Sequence, residues 1–153
     1  MRISKNKILY SPTDLNNFVS CKYHIKNDLL ADEKKLKKRE ISADLKLRIK
    51  YGIEHETKHF KLFKNKNNPN ITINDKLTDE KRFEATKQAL AKGYKLIYKA
   101  YFIENNFRGE ADFLLRVNTK SDLGNYSYEV YDTKITKNLR PKHVLQITGY
   151  SYL

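Results

Sequence analysis

Two acidic residues and one lysine in the second half of the chain have the types and spacing that metal-assisted hydrolysis requires. Asp132 and Lys134 are two residues apart in an aromatic run, and Asp112 interrupts an earlier apolar run. Successive residues of a strand face opposite sides, so Asp132 and Lys134 are predicted to share a face. If the strand that carries Asp112 pairs beside theirs, two carboxylates and an ammonium group meet at one point.

This grouping predicts phosphodiester chemistry. Mg²⁺ is usually bound by one or two carboxylates, keeps several waters and takes further oxygens from a substrate phosphate. A nearby lysine can orient a water and offset negative charge in the transition state. A carboxylate inside an apolar strand is costly unless it has a partner or a function. The alternative interpretation is an exposed Asp–Lys ion pair.

A second polar pair lies near the end of the chain. Gln146 and Tyr150 are four residues apart, so on a helix they share a face. They could support a site formed by the strands. The alternative is a Gln–Tyr pair at a helix surface.

The segment His55-Glu56-Thr57-Lys58-His59 is a literal H-E-x-x-H motif. On a helix its two histidines could bind Zn²⁺, with Glu56 as general base, as in a metalloprotease. Zinc needs a third protein ligand, and the sequence offers no clear one. Glu56 also falls on an apolar stripe where it can pair with a lysine, and His59 is predicted to be exposed.

The elements that position these groups follow from capping residues and periodicity. The predicted helices begin at 11–14, 42, 78 and 141. Helical spacing of apolar residues places the second of them over 45–63, and 65–70 is predicted to be a loop. Aromatic and β-branched residues predict strands over 96–104, 107–117 and 126–134, the first two joined at Asn105-Asn106. The order predicts an α+β (α/β) fold: a small central mixed sheet flanked by helices.

Composition limits the class of protein. The chain has 153 residues, a formal charge of +13 and a hydrophobic fraction of 39%, which suits one domain over 1–153. The charge favours polyanion partners, although abundant lysine is also typical of a solvated surface. We expect a cytoplasmic protein, because there is no signal peptide and no apolar run of about 18 residues. The chain stops in a predicted helix, so a domain truncated at its C-terminus is an open alternative to a complete one.

The ordered motifs resemble the RecB-like branch of the PD-(D/E)XK nuclease superfamily. That branch has a G-x-x-D segment, a hydrophobic D-x-K strand and a Q-x-x-x-Y helix, matched here by 109–112, 132–134 and 146–150. The upstream helical motif with its histidine resembles 52–56. The opening segment 9–21 resembles the start of RecB-like nucleases. The likeness spans 8–153.

The resemblance implies a restriction-endonuclease-like core and a Mg²⁺- or Mn²⁺-dependent deoxyribonuclease, an exonuclease among the possibilities, in DNA repair, recombination or defence. The implied metal ligands are His55, Asp112, Asp132 and the Thr133 carbonyl. It further implies that Lys134 positions the attacking water and that Gln146 and Tyr150 support the site and contact DNA. An inactive nucleic-acid-binding module of the same fold is the alternative, and a zinc protease is a more distant one.

The sequence departs from the family pattern at two points. Ala111 stands where the superfamily name has Pro, and the central acid is Asp132 rather than Glu. Some relatives hold an iron–sulfur cluster through four cysteines, but Cys21 is the single cysteine here, so no cluster is expected. DNA is the implied partner. A helicase or a further nuclease region is a candidate partner, since these domains are often fused to one.

Overall fold

The computed structural model describes residues 2–4 and 7–153. Within them, five α-helices and a four-stranded mixed sheet form the predicted α+β fold, with a separate two-stranded ribbon. The helices are α1 (Pro12–Ser20), α2 (Lys22–Asp32), α3 (Ala43–Lys66), α4 (Asp79–Ala91) and α5 (Pro141–Tyr152). The strands are β1 (Arg2–Ser4), β2 (Lys7–Leu9), β3 (Asn70–Thr72), β4 (Leu96–Glu104), β5 (Phe107–Val117) and β6 (Ser127–Tyr131). None of the described helices has the length and apolar character that crossing a membrane requires.

The sheet has the order β3-β4-β5-β6, with β3 parallel to β4 and the other pairs antiparallel. The predicted hairpin of β4 and β5 is confirmed at the predicted bounds. Asn105 and Asn106 both have positive φ, 43° and 68°, which is the backbone that tight two-residue hairpin turns require. β4 and β5 are the two inner strands of the sheet, so each pairs with a strand on both sides.

Helices cover both faces of the sheet. Ile97 and Leu114 belong to the buried cluster that includes Ala89 of α4. Their strand neighbours Tyr98 and Phe113 point the other way and meet α3: the ring of Phe60 stacks on Tyr98 at 4.1 Å and Phe63 contacts Phe113. The sheet thus separates α3 from α4.

Only the second half of α3 packs on the sheet, contrary to the expected stripe over 45–63. Leu45, Ile49 and Ile53 are 47%, 47% and 59% exposed, whereas Phe60 and Phe63 contact the sheet. The helix is 24 residues long, about 36 Å. The apolar side chains in the first half of the helix therefore face solvent.

Other elements differ from the sequence prediction at their ends. The first predicted helix is two helices that meet at Cys21. The expected loop over 65–70 is wrong at both ends, since α3 continues to Lys66 and Asn70 begins β3. A three-residue strand such as β3 is too short to show periodicity. It forms because its backbone completes the parallel ladder with β4.

Helix α5 lies close to two other backbones through glycines. A Cβ built on Gly149 would lie 3.0 Å from Pro12 Cγ in α1. A Cβ on Gly109 of β5 would lie 2.9 Å from Tyr150 Cδ1 and from Leu153 Cδ1. These approaches fix the position of Tyr150 beside β5.

We expect Gly109→Ala to destabilise the fold by about 1–3 kcal/mol, because the added methyl group overpacks the Tyr150 ring. Gly52→Ala on α3 is the matched control, since nothing lies within 4 Å of its Cβ and alanine is favoured over glycine in a helix by about 0.5–1 kcal/mol. The urea concentration at the midpoint of unfolding should therefore fall in Gly109→Ala and rise in Gly52→Ala. Equal shifts would contradict the close packing of α5 on β5.

Candidate active site

Asp112 and Asp132 come from adjacent strands and lie side by side. The β5–β6 ladder ends at the pair Phe113 and Tyr131, and one further step of the same register sets Asp112 opposite Asp132. The prediction that β6 continues to 134 is wrong: the strand ends at Tyr131. The reason is that the Thr133 N–H donates to Asp112 Oδ2 at 3.2 Å and leaves the backbone ladder.

Lys134 completes the predicted trio. Its Nζ forms an ion pair with Asp132 Oδ2, and the Asp132 side chain is only 5% exposed. The ammonium group of Lys134 therefore compensates the charge of this buried carboxylate.

The ionisation of Asp112 reflects its surroundings. Burial raises the pKa of the Asp112 carboxyl, and the neighbouring charge of Asp132 raises it further. Lys99 and the Thr133 N–H act in the opposite direction. A cation bound between the two carboxylates would favour the charged form of both.

Lys99 of β4 is a member of the site that the sequence analysis missed. Its Nζ lies 2.6 Å from Glu56 Oε1, 3.3 Å from Glu110 Oε1 and 3.6 Å from Asp112 Oδ1. Burial acts to lower the pKa of Lys99, but the hydrogen bond to Glu56 and the charges of Asp112 and Glu110 outweigh it and raise the pKa. Lys99 is therefore an internal counter-ion for three carboxylates.

The backbone at Lys99 is unusual. Its φ is +61° in the middle of a strand, a left-handed conformation that costs a non-glycine residue about 1–2 kcal/mol. The strand alternation fails there, since Tyr98 and Lys99 are both half-buried and the next two residues are both buried. Strain of this kind persists only where the surrounding structure holds it in place.

Further contacts bind this cluster to the helices. Arg82 of α4 pairs with Glu110 Oε2 and lies over the ring of Tyr101. The Tyr98 hydroxyl donates to Glu56 Oε1 at 2.7 Å. The expectation that Glu56 pairs with a lysine is confirmed. The sequence signal for Lys99 and Arg82 is weak, because each is one charged residue among many and only the register shows its partner.

The predicted pair on α5 is formed. Gln146 Nε2 donates to Tyr150 Oη at 3.0 Å, and Tyr150 is 8% exposed. Burial raises the pKa of the Tyr150 phenol; the Gln146 hydrogen bond lowers it, and the charges of Asp132 and Asp112 raise it. The phenol therefore lies within the field of the two aspartates, and it is placed to support the site from below the surface.

The ring of His55 on α3 contacts His59, with centroids 4.6 Å apart. Among residues 2–4 and 7–153, no group of three or more His, Cys, Asp and Glu side chains is close enough to hold a metal ion. A zinc site of the H-E-x-x-H type needs three protein ligands, and Glu56 is already engaged by Lys99 and Tyr98.

The aspartate pair suits a different metal. Mg²⁺ and Mn²⁺ prefer oxygen ligands, and Mg²⁺ needs only one or two carboxylates when substrate phosphate and water complete its shell. Asp112 and Asp132 supply two carboxylates at facing positions of adjacent strands, and this all-oxygen donor set fits such an ion. The residues that would hold it are these two aspartates, with the Thr133 carbonyl as the neighbouring backbone oxygen.

His143 of α5 is a buried polar residue of this region. It is 5% exposed. The Arg140 N–H donates to its Nδ1 at 3.3 Å, so the imidazole caps the start of α5. A capping role for histidine has no pattern that distinguishes it in the sequence.

Comparison with known proteins assigns no function to the chain, so its function has to be inferred from the geometry of this site. No family model, no curated protein and no solved structure matches the chain.

Proposed function

We propose that the protein is a Mg²⁺- or Mn²⁺-dependent DNA nuclease that hydrolyses phosphodiester bonds at Asp112, Asp132 and Lys134. The observation that carries the proposal is the pairing of two carboxylates across β5 and the end of β6, with Lys134 against one of them. The raised pKa of Asp112 supports it, because burial and the neighbouring charge of Asp132 disfavour its anionic form, which a bound cation would favour. The positive charge of the chain supports a polyanionic substrate.

Each residue has a defined part in this proposal. Asp112 and Asp132 hold the divalent ion, which when bound supplies positive charge at the phosphoryl group and acidifies a water. Lys134 orients the attacking water and offsets charge that develops on the phosphate oxygens. Thr133 fixes the direction of Asp112 through its N–H. Gln146 and Tyr150 support the site through their mutual hydrogen bond.

Incubation of the purified protein with single- and double-stranded DNA tests the proposal. We expect cleavage in Mg²⁺ or Mn²⁺ and none in EDTA, because the carboxylate pair requires a cation to act on a phosphodiester. Binding of DNA without cleavage in either metal would instead favour the inactive nucleic-acid-binding module.

A further inference from the structure

A cleft of about 390 Å³ opens beside Lys134, between α1, α5 and the segment that follows β6. Its wall includes Thr13 and Asn17 of α1 and Lys142, His143 and Gln146 of α5. None of the residues that form this wall is acidic. The cleft is within the size range of small-ligand sites, about 300–1,000 Å³.

The electrostatic surroundings of the cleft are positive. Lys142 lies in the first turn of α5, where the helix dipole adds positive charge. Burial lowers the pKa of the His143 imidazole, and the charges of Lys134, Lys142 and Arg140 lower it further. Because Nδ1 of His143 accepts from Arg140, the neutral ring carries its proton on Nε2 and remains a donor.

The cleft is continuous with the aspartate pair. Lys134 forms part of its wall and also contacts Asp132. Gln146 forms part of its wall and also donates to Tyr150. A group bound here would therefore be the immediate neighbour of a group bound at the aspartates.

We propose that this cleft binds a backbone phosphate of the nucleic-acid strand, next to the phosphate that lies at Asp112 and Asp132. The inference rests on the proposed function and adds the path of the strand, between α1 and the start of α5. Lys142 and Lys134 supply charge, and the hydroxyl, amide and imidazole donors of the wall supply hydrogen bonds. Phosphate contacts of this kind fix the position of a strand without reading its sequence.

Fluorescence anisotropy with a short fluorescein-labelled oligothymidylate in EDTA tests the cleft without cleavage. We expect Lys142→Gln to weaken binding about five-fold. The slope of the logarithm of the affinity against the logarithm of the salt concentration should fall by the amount that about one phosphate contact contributes. Lys81→Gln is the matched control, since Lys81 is an exposed lysine in the first turn of α4 outside the cleft wall. It should change binding less than two-fold.

Thr13→Asp tests the same cleft with a variant that keeps the fold. Thr13 is exposed in the first turn of α1, where an added acid favours the helix but repels phosphate. We expect about ten-fold weaker binding. Wild-type affinity in Thr13→Asp, or equal losses in Lys142→Gln and Lys81→Gln, would overturn the inference.

Further outcomes distinguish a strand phosphate from a free nucleotide, and distinguish failure of the cleft proposal from failure of the proposed reaction. If thymidine 5′-monophosphate bound as tightly as the oligothymidylate, the cleft would belong to a free nucleotide and the strand path would be wrong. Binding that depends on the cleft in a protein that never cleaves would refute the proposed reaction alone. Cleavage with binding that ignores both cleft variants would refute the cleft alone.

Discussion

Replacement of Asp132 by alanine is expected to abolish metal-dependent cleavage, by at least ~10²-fold, while the protein stays folded. The variant removes one of two carboxylates that would hold the ion. It also removes a like charge that raises the pKa of Asp112, so stability at neutral pH should hold or rise. Opposite changes in activity and stability would show that the lost cleavage does not come from unfolding. Cleavage rates and urea unfolding measured on the same preparation check this.

Lys134→Ala should lose cleavage to a similar degree but with the opposite effect on stability. Without the ammonium group, Asp132 is buried beside Asp112 with no compensating charge, and the fold should weaken. Lys137→Ala is the control for a nearby exposed lysine and should leave both measurements unchanged. If both single variants, Asp132→Ala and Lys134→Ala, cleaved DNA at the wild-type rate, the proposed active site would be rejected.

Replacement of Lys99 by methionine is expected to reduce the free energy of unfolding by about 2–4 kcal/mol, because it removes the cation that faces the largely buried carboxylates of Glu56 and Asp112. Methionine keeps much of the apolar stem and, in the left-handed backbone at this position, the strain as well. The pKa of Lys99 is raised, so the folded protein holds this proton more tightly than the unfolded chain. Its contribution is therefore complete at neutral pH and is lost only as the pH rises through the raised pKa.

Two variants separate the charge of Lys99 from other effects. Lys99→Arg keeps the cation and should recover most of the stability. Lys95→Met, at an exposed lysine just before β4, should change it by less than about 0.5 kcal/mol. If Lys99→Met and Lys95→Met unfolded at the same urea concentration, the counter-ion role would be refuted.

The sequence predicted what depends on local pattern. Caps at Ser11 and Thr78 mark the starts of α1 and α4, as expected, and β4 and β5 have their predicted bounds. Asp112 and Asp132 are neighbours because β5 and β6, which follow one another in the chain, pair side by side in the sheet. These features need few long-range contacts.

The remainder of the site depends on contacts far apart in the chain. Lys99 meets Glu56 across 43 positions of sequence, and no local period marks either residue. The left-handed backbone of Lys99 departs from the β-strand pattern around it. The early end of β6 was missed for the same reason, because a side chain on β5 takes the N–H that the ladder would use.

The two aspartates differ in how firmly the fold retains them. Asp112 belongs to an inner strand with partners on both sides, whereas Asp132 follows β6, a strand at one edge of the sheet. Outer strands open more readily than inner ones, through local fluctuations that leave the rest of the domain intact. Each such opening would carry Asp132 and Lys134 away from Asp112. A ligand that bridges the two aspartates should therefore slow amide hydrogen exchange in β6 more than in β5.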